Sequence, residues 1–205
     1  MWNTPNLLTL LRIVLIPVFV VVFYVESPWT SYVAALVFGT AAITDWLDGH
    51  LARRWDQTSP LGAFLDPVAD KLMVAVALVL LVQADPRTVL ALPAAVIIGR
   101  EITVSALREW MAEVGARGKV AVSRTGKLKT TAQMVAIILL LLRGSALPTW
   151  VYELGLWLLY LAALLTLWSM VLYLRAAWPS LLSRPARPAG EAVRPRRGPG
   201  SEPGA

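Results

Sequence analysis

The chain of 205 residues contains no cysteine and a single histidine, His50. Disulfides and thiolate–metal chemistry are therefore excluded, and so is any metal site built on a histidine cluster. A metal bound here must be held by oxygen ligands, which favours hard cations such as Mg²⁺ or Mn²⁺. Charge is scarce too: 16% of the residues are Asp, Glu, Lys or Arg, against 57% hydrophobic. A soluble domain of this size rarely needs such an apolar share, and the apolar residues here come in runs too long for soluble helices.

A helix needs ~20 mostly apolar residues to cross the ~30 Å hydrocarbon layer of a bilayer. Six stretches approach that length, at roughly 7–25, 31–51, 64–83, 88–110, 124–143 and 150–174. The expected fold is all-α and integral to a membrane, with six transmembrane helices. The first stretch carries Arg12 inside it, lacks a basic leader and has no small-residue cleavage site after Val25, so it reads as a retained helix. Six crossings put both ends of the chain on one side. The hairpin tips at 26–30, 84–88 and 144–149 hold almost no basic residues beyond Arg87 and the flanking Arg143. The opposite side carries Arg53, Arg54, Arg117, Lys119, Arg124, Lys127, Lys129 and Arg175. Cytoplasmic flanks are enriched in Lys and Arg, so both termini are expected in the cytoplasm.

From Pro179 onward the composition changes to proline, glycine and arginine, which cannot bury enough apolar surface to fold alone. The expected organisation is a six-helix transmembrane unit over 1–178 and a disordered basic tail over 179–205. Six Arg and two Glu between Arg175 and the end account for +4 of the formal +6. That excess suits anionic headgroups at a membrane surface and gives no reason to expect nucleic acid. The tryptophans, among them Trp2, Trp29, Trp55, Trp110, Trp150 and Trp178, read as interfacial anchors.

Ionisable residues near membrane depth are costly and point to function. Four of the six aspartates fall between positions 45 and 70: Asp45, Asp48, Asp66 and Asp70. Residues three and four apart share a helix face, so Asp45, Asp48, Gly49 and Ala52 form one stripe and Asp66 and Asp70 a second. The intervening loop returns the chain antiparallel, and the two stripes can then face each other. Four facing carboxylates repel unless positive charge sits between them, and two divalent cations resolve that conflict. Paired metals suit the attacking and leaving oxygens of a phosphoryl displacement. Gly49, Ala52 and Gly62 leave room for a ligand to approach the backbone, and Arg53 offers a planar fork to a diphosphate. Asp56 and Asp85, alone at helix ends, read as caps or solvated charges.

Residues 45–70 fit D-x-x-D-G-x-x-A-R-x8-G-x-x-x-D-x-x-x-D at every fixed position, and in this the chain resembles the CDP-alcohol phosphatidyltransferases. Beyond the motif, Pro5–Arg12, Gly99–Glu113 and Val120–Met134 resemble the bacterial phosphatidylglycerophosphate synthases, and the likeness runs from about residue 4 to 178. The resemblance implies a six-helix homodimer in the bacterial cytoplasmic membrane, its active site facing the cytoplasm. It implies transfer of the phosphatidyl group from CDP-diacylglycerol to glycerol 3-phosphate, giving phosphatidylglycerophosphate and CMP. It further implies that Asp45, Asp48, Asp66 and Asp70 hold two divalent cations, Mg²⁺ or Mn²⁺, and that Asp70 is the general base. Gly49, Ala52, Arg53 and Gly62 would then shape the cytidine diphosphate site.

Glycerol 3-phosphate is an anion, so a basic pocket is expected beside the aspartates. Arg100 is the leading candidate, because an unpaired charge in the apolar fourth helix would be expensive; an internal ion pair with Glu101 is the plainer reading. Arg108, two turns on, lies on roughly the same face. Lys127 and Lys129 point about 200° apart, and Lys127 is preferred because Ser123, Thr130 and Thr131 lie on its side. Lys71 is expected to pair with a neighbouring acid, and Asn6 and Arg12 are further candidates. Rival readings are the same chemistry with phosphatidylglycerol, inositol phosphate or serine as acceptor, and, from another class, a divalent-cation transporter. Transporters place acids near the bilayer midplane and often carry internal repeats, neither of which is evident here.

Overall fold

In hydrocarbon a backbone has no partner but itself, and long apolar runs become helices. A computed structural model describes the backbone of residues 4–55, 60–113 and 125–182; side chains are described within these except at 4–6, 46–55, 60, 61, 63, 64, 112, 125–128, 176, 177 and 179–182. The described residues form α1 (Thr4–Tyr24), α2 (Thr30–Trp55), α3 (Pro60–Ala84), α4 (Thr88–Glu113), α5 (Thr125–Leu141) and α6 (Thr149–Leu182). Among them, Leu7–Tyr24, Thr88–Met111 and Thr149–Arg175 are long and apolar enough to cross a membrane. α6 continues to Leu182, past the 150–174 run, and so reaches into the segment from Pro179 expected to be disordered.

The helices bury a core of Phe19, Phe38, Leu78, Leu90, Ile97, Ile137, Leu140 and Leu159. Alanines at 34, 41, 77, 94, 136 and 163 stand among them. Small residues let helix backbones approach, the usual basis of helix packing in apolar surroundings. Gly155 makes the point locally: a Cβ there would stand 3.1 Å from both Leu139 Cβ and Leu140 Cγ. The outward faces are apolar as well. Leu36 is 69% exposed, Val79 57%, Ile102 66% and Trp157 75%, far more apolar surface than a water-soluble monomer presents.

Three short turns meet at one end of the bundle. Ser31 Oγ donates to the Arg143 carbonyl (2.7 Å), and Arg143 Nη1 donates to the Ala84 carbonyl (3.0 Å). Tyr24 Oη donates to Gln83 Oε1 at 2.6 Å. Gly144 turns the chain with φ +81°, a conformation that glycine adopts without strain. Asp85 sits at the centre. The expected solvated charge is in fact a buried one, 3% exposed. Arg87 grips it with Nε to Oδ1 and Nη2 to Oδ2, both 2.7 Å; Tyr152 Oη donates to Oδ2, and Arg143 Nη1 lies 3.3 Å from the same oxygen. The Arg87 hydrogen bonds, with Tyr152 and Arg143, hold the Asp85 carboxyl well below the usual carboxylate range against the opposing effect of burial. Asp56 lies outside the described residues.

Candidate active site

At the opposite end, α1 joins the two aspartate-bearing helices. Thr9 and Arg12 are three residues apart and so share one face of α1. Thr9 Oγ1 donates to Asp66 Oδ1 on α3, and Arg12 Nη1 lies 2.9 Å from Asp45 Oδ1 on α2. Both α1 side chains are buried, 1% exposed in each case, while Asp45 is 39% exposed. Asp70 is half-buried one turn beyond Asp66, close enough to feel the charges of Asp45, Arg12, Glu101 and Lys71. Arg12 and Asp70 line one small crevice with Phe38, Ala41 and Met134. Thr9 and Arg12 thus tie Asp66 of α3 and Asp45 of α2 to one face of α1, with Asp70 one turn beyond Asp66.

Gly62 is buried near the start of α3, and Pro67 stands between Asp66 and Asp70, where it can supply no N–H to the Ala63 carbonyl. Asp48, Gly49, Ala52 and Arg53 continue α2, but their side chains lie outside the described residues.

A second polar cluster adjoins the first through α4. Glu101 Oε1 accepts from Arg100 Nη1 at 2.7 Å and from Lys129 Nζ at 3.1 Å. Arg100 Nη2 also donates to Ser169 Oγ on α6 at 2.9 Å. Arg100 and Arg108 both lie against the ring of Tyr173 on α6, with Cζ 5.8 Å and 5.5 Å from its centroid. Lys71 donates to Ser105 Oγ while its charge also acts on Asp70, and Ser105 Oγ donates to the Glu101 carbonyl. Arg100 and Lys129 therefore meet on one carboxylate, and Arg108 is close enough to Lys129 for their charges to interact, so the cluster carries an excess of positive charge. The Arg100–Glu101 pair weighed from the sequence is formed, and it coexists with further donors. Lys129 turns inward and is buried; the Lys127 side chain lies outside the described residues.

An acidic patch that holds a buried arginine thus lies beside a cluster of cations. The sequence profile described as CDP-alcohol phosphatidyltransferase matches residues 2–168. The chain belongs to the CDP-alcohol phosphatidyltransferase family. It is 56% identical over 183 residues to proteins named CDP-diacylglycerol–glycerol-3-phosphate 3-phosphatidyltransferase from Escherichia coli (strain K12), Shigella flexneri serotype 5b (strain 8401) and Shigella boydii serotype 4 (strain Sb227). In each case the match covers 89% of this chain and 99% of the relative.

CDP-alcohol phosphatidyltransferases generally depend on divalent cations. Among the described side chains no three of Asp, Glu, His or Cys stand close enough to cage an ion by themselves. The donor chemistry nevertheless fits. Carboxylate oxygens are the hard ligands that Mg²⁺ and Mn²⁺ prefer, and a buried guanidinium already drawn to Asp45 marks the patch as one that attracts positive charge. Thr9, Ser169 and Tyr173 were not legible as residues of these clusters. Each acts across a helix–helix contact, and helical periodicity within one segment carries no information about its partner.

Proposed function

We propose that this phosphatidyltransferase transfers the phosphatidyl group of CDP-diacylglycerol to glycerol 3-phosphate, releasing CMP. The observation that carries the reading is the 56% identity, over 89% of the chain, to proteins named for that reaction. The clustering of Asp45, Asp66 and Asp70 beside Arg100, Arg108 and Lys129 supports it.

Asp45, Asp48, Asp66 and Asp70 would hold two divalent cations, whose chemistry is to neutralise the diphosphate and ease departure of CMP. Gly49, Ala52 and Gly62 leave space for the cytidine diphosphate, and Arg53 offers it hydrogen bonds. Arg100 and Arg108, with Lys127 of α5, hold the acceptor phosphate. Asp70 takes the proton from the acceptor hydroxyl as its oxygen bonds to the β-phosphorus; the bond from that phosphorus to the CMP oxygen breaks. Positioning and charge stabilisation supply most of the catalysis in phosphoryl transfer. Thr9 and Arg12 hold the Asp66 and Asp45 carboxylates in place for it.

All six helices cross the bilayer in this reading, with both termini and the aspartates at the cytoplasmic face of a bacterial inner membrane and the chain working as a homodimer. The exposed apolar side chains on α2, α3 and α5 as well as on the three longest apolar spans support six crossings. The basic residues concentrated at the aspartate end support the orientation.

The acceptor is tested by supplying purified enzyme in mixed micelles with CDP-diacylglycerol and one radiolabelled acceptor at a time. Label entering lipid from glycerol 3-phosphate alone is expected. Label entering from serine, inositol phosphate or phosphatidylglycerol instead would overturn the acceptor assignment while leaving the chemistry.

A further inference from the structure

Tyr173 has no role in the chemistry above, yet both acceptor-site arginines of α4 meet on it. Arg100 and Arg108 are eight residues apart, so their backbones stand ~12 Å apart along α4. One ring on α6 lies within 5.8 Å of the first guanidinium and 5.5 Å of the second. Arg108 Nη2 adds a long bond of 3.4 Å to the Tyr173 hydroxyl. Arg100 is otherwise held by Glu101 and Ser169, whereas Arg108 is exposed and, among the described residues, lies against Tyr173.

Two like charges drawn to one side of a helix repel, and a long exposed arginine has considerable rotamer freedom to lose on binding an anion. An aromatic face offsets both effects, because its quadrupole attracts cations and its surface restricts the guanidinium plane. We infer that Tyr173 is a positioning residue that aims Arg100 and Arg108 at the acceptor phosphate through its ring. The inference rests on the acceptor-site reading of those arginines. The hydroxyl contributes little, given its 3.4 Å bond; the π face is what matters. α6 thereby acts on glycerol 3-phosphate without touching it.

The test is the KM for each substrate in Tyr173→Leu and Tyr173→Phe, with melting temperature in detergent as a check on folding. Loss of the ring is expected to raise the KM for glycerol 3-phosphate about tenfold, the equivalent of a partly desolvated cation–π contact. The KM for CDP-diacylglycerol should stay within twofold, and Tyr173→Phe should restore the acceptor KM. Equal rises in both KM values, equal defects in Leu and Phe, or no change in Leu would each overturn the inference. If Tyr173→Leu does not fold, Tyr173→Met keeps the bulk without a π face and is read the same way. Arg100→Ala separates the levels of the argument. An unchanged acceptor KM in Arg100→Ala overturns the acceptor-site reading itself, and a raised one with Tyr173→Leu unaffected overturns the Tyr173 role alone.

Discussion

Arg12 of α1 pairs with Asp45 of α2, Nη1 to Oδ1 at 2.9 Å, with the guanidinium almost wholly buried. One turn earlier on the same face, Thr9 holds Asp66 of α3. The first helix is thus the brace against which the acidic patch is assembled, and Arg12 supplies positive charge to carboxylates that would otherwise repel.

That role predicts a trade between arginine and metal. Arg12→Met should cost about 1–3 kcal/mol of stability in the presence of a chelator, the range for a hydrogen bond between charged groups with one partly exposed partner. Added Mg²⁺ should raise the melting temperature of the variant more than that of the parent. Equal metal-induced shifts would mean that Arg12 does not offset the repulsion.

At the other end, Asp85 ties the turn between α3 and α4 to Arg143 and Tyr152. Its folded carboxyl titrates below the ordinary value of about 3.9. The stabilisation is therefore complete above about pH 4 and fades as pH falls through the lower folded value. Asp85→Asn should lower the melting temperature at pH 7, and the gap to the parent should narrow below about pH 4. A gap that does not depend on pH would show that Asp85 acts by shape and not by charge.

Gly155 predicts a steric limit. Leu139 Cβ and Leu140 Cγ are both fixed closely to the α5 backbone, so neither can yield as a flexible side-chain end would. Gly155→Val should destabilise by about 1–3 kcal/mol, the usual cost of overpacking, and Gly155→Ala by less. Thermal unfolding in detergent measures both, and a Val variant as stable as the parent would contradict the close approach of α5 and α6.

Removal of residues 183–205 should leave turnover unchanged, since the site is built from α1 to α6. Loss of activity in a truncated enzyme that still folds would give the tail a role in catalysis.

Much of this was legible in the sequence, for physical reasons that differ by element. The turns were found because hydropathy changes sharply there, as at 84–88 and 144–149. Helix ends were not, because hydropathy measures the hydrocarbon-facing length while α3 and α6 continue beyond it, to Pro60 and Leu182. The shared face of Asp66 and Asp70 was legible because i, i+4 spacing is a local property of one helix. Thr9 with Asp66 and Lys129 with Glu101 are pairs 57 and 28 residues apart, set by how helices pack. Asp85 was misjudged for the same reason: Tyr152, 67 residues away, comes from α6 and Arg143 from the turn before it.

The most direct test is CMP release from CDP-diacylglycerol by the purified enzyme with glycerol 3-phosphate, in Mg²⁺ or Mn²⁺ and then with the metal chelated, for the parent and Asp70→Asn. The account predicts release that requires the cation and falls by at least about a hundredfold in Asp70→Asn, the lower end for loss of a general base. Release that survives chelation, or an Asp70→Asn enzyme as fast as its parent, would contradict it.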